Sequence, residues 1–277
     1  MKFSFITAAG MALGALIVSS FVIADTATAI ESALSGDHRS EAHKARDQYR
    51  HPTETLMFFG IEPDMKVLEI WPGGGGWYTE VLAPLLRGEG QFTVGTPGAA
   101  SYSHSYGENL KRSDARFAEK TAANPEIYDR VGVVGLWAPD ALDIAPEGSL
   151  DMIVTFRNLH NWLMWDLADG MLAAVYKALK PGGILGVVDH RANPAAPRDP
   201  NGRSGYVDEA FAIEVIQRAG FRLVDSADIN DNPKDTKDYE RGVWTLPPSF
   251  RLGDEDREKY AAIGESDRFT LKFVKPE

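Results

Sequence analysis

The segment KVLEIWPGGGGWYTEVLAP, residues Lys66–Pro84, decides the fold. KVLEIW is an apolar run with one acid, which predicts a short buried strand, and WYTEVLAP has the pattern of a helix. Four consecutive glycines, Gly73–Gly76, separate the two. In an open parallel sheet, such a turn lets a ligand approach the backbone, and the helix N-terminus that follows favours an anionic group. We therefore predict a ligand-binding loop, with a tight turn that binds nothing as the alternative.

Strand-like and helix-like segments alternate along the rest of the chain. SLDMIVTF (149–156) and GGILGVVD (182–189) are apolar almost throughout, as expected of strands that are buried on both faces. DLADGMLAAVYKAL (166–179) has helical spacing, whereas DRFTLKFVKP (267–276) alternates like an edge strand. This order predicts an α/β fold with a doubly wound, mostly parallel seven-stranded sheet and an antiparallel edge strand.

The N-terminus has the features of an export signal. Lys2 precedes an apolar stretch that extends to Ile23, and Ala27 and Ala29 form an A-x-A cleavage site. We predict that residues 1–29 are a signal peptide and that the protein is periplasmic or secreted. Cleavage after residue 24 is the alternative. The sequence contains no cysteine, which excludes a lipoprotein anchor and disulfide bonds.

Composition limits the class of the mature protein. The 277-residue chain is 44% hydrophobic, which is typical of a globular protein, and we expect residues 30–277 to form a single domain. A polar, proline-containing segment, residues 231–265, is predicted to be an insertion before the last strand. The net charge of −11 argues against a nucleic-acid partner, and no later segment predicts stable membrane insertion. The oligomeric state stays open.

Motif comparison narrows the ligand. A dinucleotide fingerprint fails because Tyr78 occupies its last glycine position, and no P-loop lysine follows the glycines. The segment instead resembles the first motif of class I S-adenosylmethionine-dependent methyltransferases. The resemblance continues in order through PEGSLDMIVTFRNLHNW (146–162), ALKPGGILGVVDH (178–190), AGFRLV (219–224) and DRFTLKFVKP. RHPTETLMFFGI (50–61) and FRNLHNW are further similar to a secreted bacterial group labelled predicted methyltransferases.

The resemblance implies a cofactor and its contacts. It predicts that the Rossmann-like methyltransferase fold binds S-adenosyl-L-methionine and methylates a small-molecule or envelope substrate. The residues that match the family's cofactor-binding positions are Glu69, Trp71, Gly73, Gly74, Gly75, Asp140 and Asn158.

Two departures from the family pattern affect this prediction. Trp71 stands where the family has its first loop glycine, so its indole either lies against the ligand or fills the space of one. The second strand, QFTVGTPG, ends at Gly95 or Thr96 and lacks the acid that bonds the ribose hydroxyls in the family. A neutral acceptor contributes less than a charged one, about 1 against 1.5–3 kcal/mol.

The ends of the fourth and fifth strands supply the candidate catalytic residues. His160, Asn158 and His190 are placed there, and a histidine can act as a general base near neutral pH. The alternative for each histidine is a core residue that is bonded to the backbone. Their spacing, with Asp189 and His51, matches no compact metal-ligand motif, so we predict no metal site, with a site of scattered ligands as the alternative. Arg50 and its neighbours are expected either to form a lid over the mouth or to begin a helix.

Three functions remain open at this point. The first is an active methyltransferase, and the second is a secreted ligand-binding protein that retains the fold without transfer activity. The third is a lyase or hydrolase that uses the strand-end histidines. The sequence contains no Gly-x-Ser-x-Gly segment and no cysteine nucleophile, which disfavours acyl transfer.

We predict that the exported protein begins near Ile30, because signal peptidase cleaves after the A-x-A site. N-terminal sequencing of the protein recovered from the periplasm checks this, and the start at residue 25 identifies the alternative site. An intact Met1 on soluble cytoplasmic protein would contradict export.

Overall fold

The computed structural model of the protein describes residues 25–277. Seven strands form one sheet: β1 (Lys66–Ile70), β2 (Gln91–Thr96), β3 (Gly132–Gly135), β4 (Leu150–Phe156), β5 (Leu179–His190), β6 (Arg222–Ala227) and β7 (Arg268–Val274).

The helices precede, connect or flank these strands. Helical residues 25–35, here α1, lead the described chain. The others are α2 (Glu41–Lys44), α3 (Asp47–Arg50), α4 (Pro52–Phe59), α5 (Thr79–Leu86), α6 (Gly107–Ala123), α7 (Pro125–Tyr128), α8 (Leu159–Met164), α9 (Ala168–Ala178), α10 (Glu209–Arg218) and α11 (Arg257–Ile263).

The order of the strands confirms the predicted doubly wound sheet. It is β3-β2-β1-β4-β5-β7-β6, and every pairing except those of β7 is parallel. The chain runs outward from β1 to β3 and then returns to place β4 on the other side of β1. This reversal puts the carboxyl ends of β1 and β4 side by side, where open α/β sheets bind their ligands.

The antiparallel pairings lie at one side of the sheet, but the predicted edge strand, residues 267–276, is not the outermost strand. Strand β7 enters between β5 and β6, and β6 is therefore the outermost strand. This inner place explains why β7 is buried along most of its length. Residues 228–267, which include the predicted insertion, connect β6 to β7.

Both faces of the sheet are covered, which accounts for the apolar strands. Along β1 and β4, alternate side chains belong to two separate core clusters: Leu68 and Ile153 face one, and Val67 and Met152 face the other. Helices α4 and α5 cover the second face, and α9 and α10 cover the first. An alternating pattern of apolar and polar residues would leave one of these clusters incomplete.

Most of the expected signal peptide, residues 1–24, lies outside the described residues. The described part begins with helical residues 25–35, where Ile30 is fully buried in the core beside α4. Cleavage after Ala29 would remove residues 25–29 of this helix, whereas cleavage after residue 24 would retain them. Within residues 25–277, no helix is both long enough and apolar enough to cross a membrane.

The close packing of α4 on the sheet predicts a measurable stability effect. A Cβ added at Gly186 in β5 would lie 2.7–2.8 Å from three ring carbons of the buried Phe59. We expect Gly186→Ala to lower the free energy of unfolding by about 1–3 kcal/mol, as overpacking does. Urea unfolding measures this. Gly88→Ala is the matched control, because a Cβ there meets no atom within 4 Å. Equal stabilities of the two variants would contradict the packing.

Candidate active site

Strands β1 and β4 both end in a residue with a left-handed backbone. Trp71 has φ 47° and Arg157 has φ 62°. Each donates its N–H at 2.7 Å to the next strand of the sheet, Trp71 to the Gly95 carbonyl and Arg157 to that of Val188. Such conformations cost about 1–3 kcal/mol in residues other than glycine, and they concentrate at functional sites. The two bends direct the following loops away from the sheet at the strand-order reversal.

Asn158 joins these two strand ends. Its side-chain Nδ2 donates to the carbonyl oxygens of Ile70 (2.9 Å) and Trp71 (3.3 Å) and lies 3.2 Å from the Thr155 hydroxyl. The amide nitrogen is thus committed to the backbone of β1, and its place is beside the loop that was predicted from sequence. Asn158 positions that loop, and a catalytic role of its own stays a prediction.

A cleft of about 110 Å³ opens over the carboxyl ends of β1 and β2. We call it the glycine-loop cleft. Its walls come from the loop after β1, the end of β2, helix α6 and the start of α8. The residues are Trp71, Pro72, Gly73, Thr96, Pro97, Leu110, Ser113, Asp114, Phe117, Asn158, Asn161 and Trp165.

Only the first of the four glycines borders this cleft. Gly73 has φ 68°, and a Cβ there would meet no atom within 4 Å. At Gly74 a Cβ would lie 2.9 Å from the Arg116 side chain, and at Gly75 it would lie 3.3 Å from His43. Gly74 and Gly75 do not line the cleft, and their role in cofactor binding stays a prediction. Both admit neighbouring protein segments instead.

Two acids of the predicted cofactor set lie elsewhere. Glu69 is buried, and its Oε2 accepts a hydrogen bond of 2.6 Å from the Thr79 hydroxyl at the start of α5. It therefore fixes the strand to the helix behind the loop. Asp140 is exposed in the turn that links Trp137 to Ala141, and it does not line the cleft. The family position of an adenine-contacting acid is thus not reproduced by Asp140.

A different carboxylate occupies the cleft beside the end of β2. Asp114 of α6 accepts hydrogen bonds at Oδ2 from the Gly98 N–H (2.9 Å) and the Tyr102 hydroxyl (3.0 Å). Its Oδ1 has no hydrogen-bond partner within residues 25–277. Partial burial raises the pKa of Asp114, and the bonds from Tyr102 and Gly98 counteract that effect. An acid is therefore present near Thr96 after all, although it comes from the following helix.

The Trp71 indole is a wall of the cleft and a part of the core at once. It is 7% exposed, stacks on Trp137 with centroids 5.4 Å apart, and contacts Trp162 edge-on. Its Nε1 donates to the Leu136 carbonyl at 2.9 Å. The side chain is thus held by β3 and α8, and it leaves the adjoining cleft open.

His160 of α8 and Asp189 of β5 form a hydrogen-bonded pair. The buried Asp189 carboxylate accepts from the His160 backbone N–H at Oδ2 and lies 2.9 Å from His160 Nδ1 at Oδ1. With Asp189 Oδ1 as the acceptor, Nδ1 carries the proton, and Nε2 has no hydrogen-bond partner within residues 25–277. The predicted core alternative for His160 is therefore only half right: the side chain is buried and bonded, but one ring nitrogen is left for chemistry.

His190 is adjacent, with its ring centroid 5.2 Å from that of His160. Its Nδ1 bonds to the Ser266 hydroxyl. Burial, reinforced by His160 and Arg268, lowers the pKa of His190 well below its usual value, so the ring is neutral at pH 7. His160, Asp189 and His190 bring one potential metal-ligand atom each within 4.8 Å of one another. Both Asp189 oxygens already accept hydrogen bonds there.

A second cleft, of about 310 Å³, adjoins the first and shares Asn161 with it. We call it the arginine cleft. The two histidines lie at its base, and three arginines from α2–α3 and the end of β4 form one side. The segment between β6 and β7 forms the other. The residues are Arg46, Arg50, Arg157, His160, Asn161, His190, Val243, Trp244, Pro247, Pro248, Ser249, Glu265 and Ser266.

Glu265 organises the charges of this cleft. Its carboxylate accepts from Arg46 (2.6 Å) and Arg50 (3.0 Å), and Arg268 lies 3.2 Å away. Burial alone would raise the pKa of Glu265, but Arg50, Arg268 and Arg46 together lower it, so the group is ionised. Burial also lowers the pKa of Arg157 to about 10, which leaves this arginine charged at neutral pH.

The architecture has many solved counterparts. A methyltransferase from Aquifex aeolicus, described as SAM-dependent, superposes with a TM-score of 0.52 at 15% identity, over 83% of this chain and 93% of that one. Geranyl diphosphate C-methyltransferase from Streptomyces coelicolor A3(2), solved with S-adenosyl-L-homocysteine, gives 0.53 at 15% identity, over 88% of both chains. The [4+2]-cyclase SpnF gives 0.54 at 19% identity, over 87% of this chain and 85% of that one.

These likenesses establish the fold of the class I methyltransferases for this chain. No protein-family model matches the sequence, and no curated protein matches it either. A cyclase among the structural neighbours shows that the fold accommodates more than one kind of chemistry. The function therefore has to be argued from the two clefts.

Several residues of the two clefts carry no recognisable sequence signal. Asp114 lies in a polar helix with many exposed charges, and nothing local distinguishes it from them. Arg157 and Asn161 could be placed at the end of β4 from sequence, but their cleft could not. Arg50 lines the arginine cleft only because α3 packs beside the segment that carries Glu265.

The environment of Glu69 predicts a pH effect. Burial raises the pKa of Glu69 to about 7, against the hydrogen bond from Thr79 that lowers it. The folded state thus binds a proton that the unfolded state, with a pKa near 4.3, releases first. The stability that this group contributes is present below pH ~4.3 and is lost as the pH rises through about 7.

We therefore expect Glu69→Gln to gain stability relative to the wild type between pH 5 and pH 8, measured by urea unfolding. Glu80→Gln is the control. Burial tends to raise the pKa of Glu80, but hydrogen bonds from His43 and Lys120 outweigh it and lower the pKa. This variant should show no such gain. A pH-independent difference between wild type and Glu69→Gln would contradict the assignment.

Proposed function

We propose that the protein is an S-adenosyl-L-methionine-dependent methyltransferase that acts on a small molecule. The observation that carries this proposal is the pair of adjoining clefts at the strand-order reversal. One has an acid and aromatic walls suited to a nucleoside, and the other has His160, whose Nδ1 is bonded to Asp189 and whose Nε2 is free. Asn161 lines both, so ligands in the two clefts would meet beside it.

The residues of the glycine-loop cleft fit the cofactor. Asp114 Oδ1 is the charged acceptor for ribose hydroxyls that β2 itself lacks, and it lies beside Thr96 at the end of that strand. Trp71, Phe117 and Trp165 offer ring surfaces against which an adenine can pack. Gly73 leaves the loop backbone accessible at the centre of the cleft.

The chemistry divides between the two clefts. Bound S-adenosyl-L-methionine supplies an electrophilic methyl group. His160 accepts the proton of the attacking nucleophile at Nε2, and Asp189 holds the ring in the required tautomer and orientation. The neutral His190 borders the same space and can orient the nucleophile. The segment between β6 and β7 covers this side and limits the access of water.

We further place this reaction outside the cytoplasm, in the periplasm or the medium. The support is the signal-like sequence of residues 1–29 and the similarity of residues 50–61 to the secreted bacterial group of predicted methyltransferases. The cofactor would then have to be supplied across the membrane.

Binding of S-adenosyl-L-homocysteine tests the proposal and the assignment of Asp114. We expect calorimetric titration to show one binding site. Asp114→Asn should weaken binding roughly tenfold, because a charge-assisted hydrogen bond becomes a neutral one. Asparagine retains an oxygen for the Gly98 N–H, so the loop is preserved. Asp140→Asn is the matched control and should bind like the wild type, since Asp140 is exposed outside the cleft.

Absence of binding of both this compound and S-adenosyl-L-methionine to the wild type would reject the proposed function. Normal binding by Asp114→Asn together with weak binding by Asp140→Asn would reject only the assignment of the acid. Thermal unfolding of both variants confirms that each is folded.

A further inference from the structure

The arginine cleft contains more positive charge than its own acid can pair. Three arginines and one carboxylate line it, and a fourth arginine, Arg268, lies behind that carboxylate. Glu265 has already bonded Arg46 and Arg50. Asp189, the nearest further acid at the base, is bonded to His160 and to the N–H of His190.

Arg157 is the arginine of this cleft to which the described residues offer no acidic partner. Within residues 25–277 its guanidinium has no hydrogen-bond or ion-pair partner, although its backbone N–H is fixed on β5. Arg50 is 1% exposed, and its Nη1 is buried without a hydrogen-bond partner in the same wall. Unpaired buried cations are costly, so an anionic ligand that pairs them gains both charge and hydrogen bonds.

The opposite wall is apolar. Val243, Trp244, Pro247 and Pro248 come from the segment between β6 and β7, and the Trp244 ring lies 6.0 Å from that of His160. A ligand of this cleft therefore has an oxyanion at one end and an apolar group that packs on Trp244. Its nucleophile would lie between the two, next to the histidines.

We propose that the methyl acceptor is a small organic oxyanion with an apolar part, and that Arg157 binds its carboxylate or phosphate group. That the ligand is a methyl acceptor rests on the proposed function, whereas the oxyanion site itself does not require the cofactor. Arg46 and Arg50 add to the positive field, and Glu265 keeps them in place.

Titration of the wild-type protein with phenyl phosphate and with benzoate, followed by calorimetry, tests the site. Benzyl alcohol is the neutral control. We expect saturable binding of at least one oxyanion and a clearly weaker signal with the alcohol. The better of the two oxyanions identifies the preferred group as phosphate or carboxylate. Failure of both to bind, or equal binding of benzyl alcohol, overturns the proposal.

Arg157→Gln should weaken oxyanion binding roughly tenfold or more, because the charge-assisted hydrogen bonds are lost. Arg157→Lys retains the charge and should lose less affinity for the oxyanion. Binding by this variant would show that the position tolerates substitution. Arg241→Gln is the control: Arg241 is exposed and pairs with Glu240 outside the cleft. Unchanged binding by Arg157→Gln, or an equal loss in Arg241→Gln, overturns the assignment.

The titrations are made without S-adenosyl-L-methionine, which separates this inference from the proposed function. Oxyanion binding without cofactor binding supports the site and rejects the methyltransferase. Cofactor binding without oxyanion binding supports the methyltransferase and overturns the substrate class.

Discussion

The rest of the site depends on the hydrogen bonds between Asn158 and the end of β1. The side-chain amide holds the carbonyls of Ile70 and Trp71 and so stabilises the left-handed turn at Trp71. This bond joins the two strands on either side of the strand-order reversal. The glycine loop then lies on one side of it and α8 on the other. Because α8 carries His160 and Asn161, one polar contact fixes both clefts relative to each other.

Charge is distributed unequally between the two clefts. The glycine-loop cleft has a single carboxylate, Asp114, among aromatic and small polar residues. The arginine cleft has a surplus of cations in a protein whose net charge is −11. A buried cluster of like charges is unfavourable unless a partner compensates it, and Glu265 compensates only part. The local positive field thus opposes the charge of the whole chain, and it favours an anion over a neutral nucleoside as the ligand of the arginine cleft.

The sequence motif of the glycine segment predicted the position of the cleft but not the main reason for the glycines. The loop does border a cleft, but only Gly73 faces it. A Cβ at Gly74 or Gly75 would meet Arg116 or His43, which belong to elements remote in sequence. The four glycines therefore serve the packing of α6 and the N-terminal segment on the loop as well as the ligand. Similarly, the acid that β2 lacks is supplied by α6, and the exposed Asp140 does not replace it.

The sequence by itself determined the order of strands and helices, the burial of β4 and β5 on both faces, and the location of polar residues at their carboxyl ends. These properties follow from local patterns, since periodicity and glycine turns act over a few residues. Only the tertiary structure decided that Asp114 reaches the cleft and that Arg50 and Glu265 line the same cleft as Arg157. The same holds for Asp189, which binds Nδ1 of His160 and so leaves Nε2 free in the arginine cleft. Such contacts join residues that are up to 219 positions apart, as Arg46 and Glu265 are, and no local pattern records which distant side chains the packing of helices will bring together.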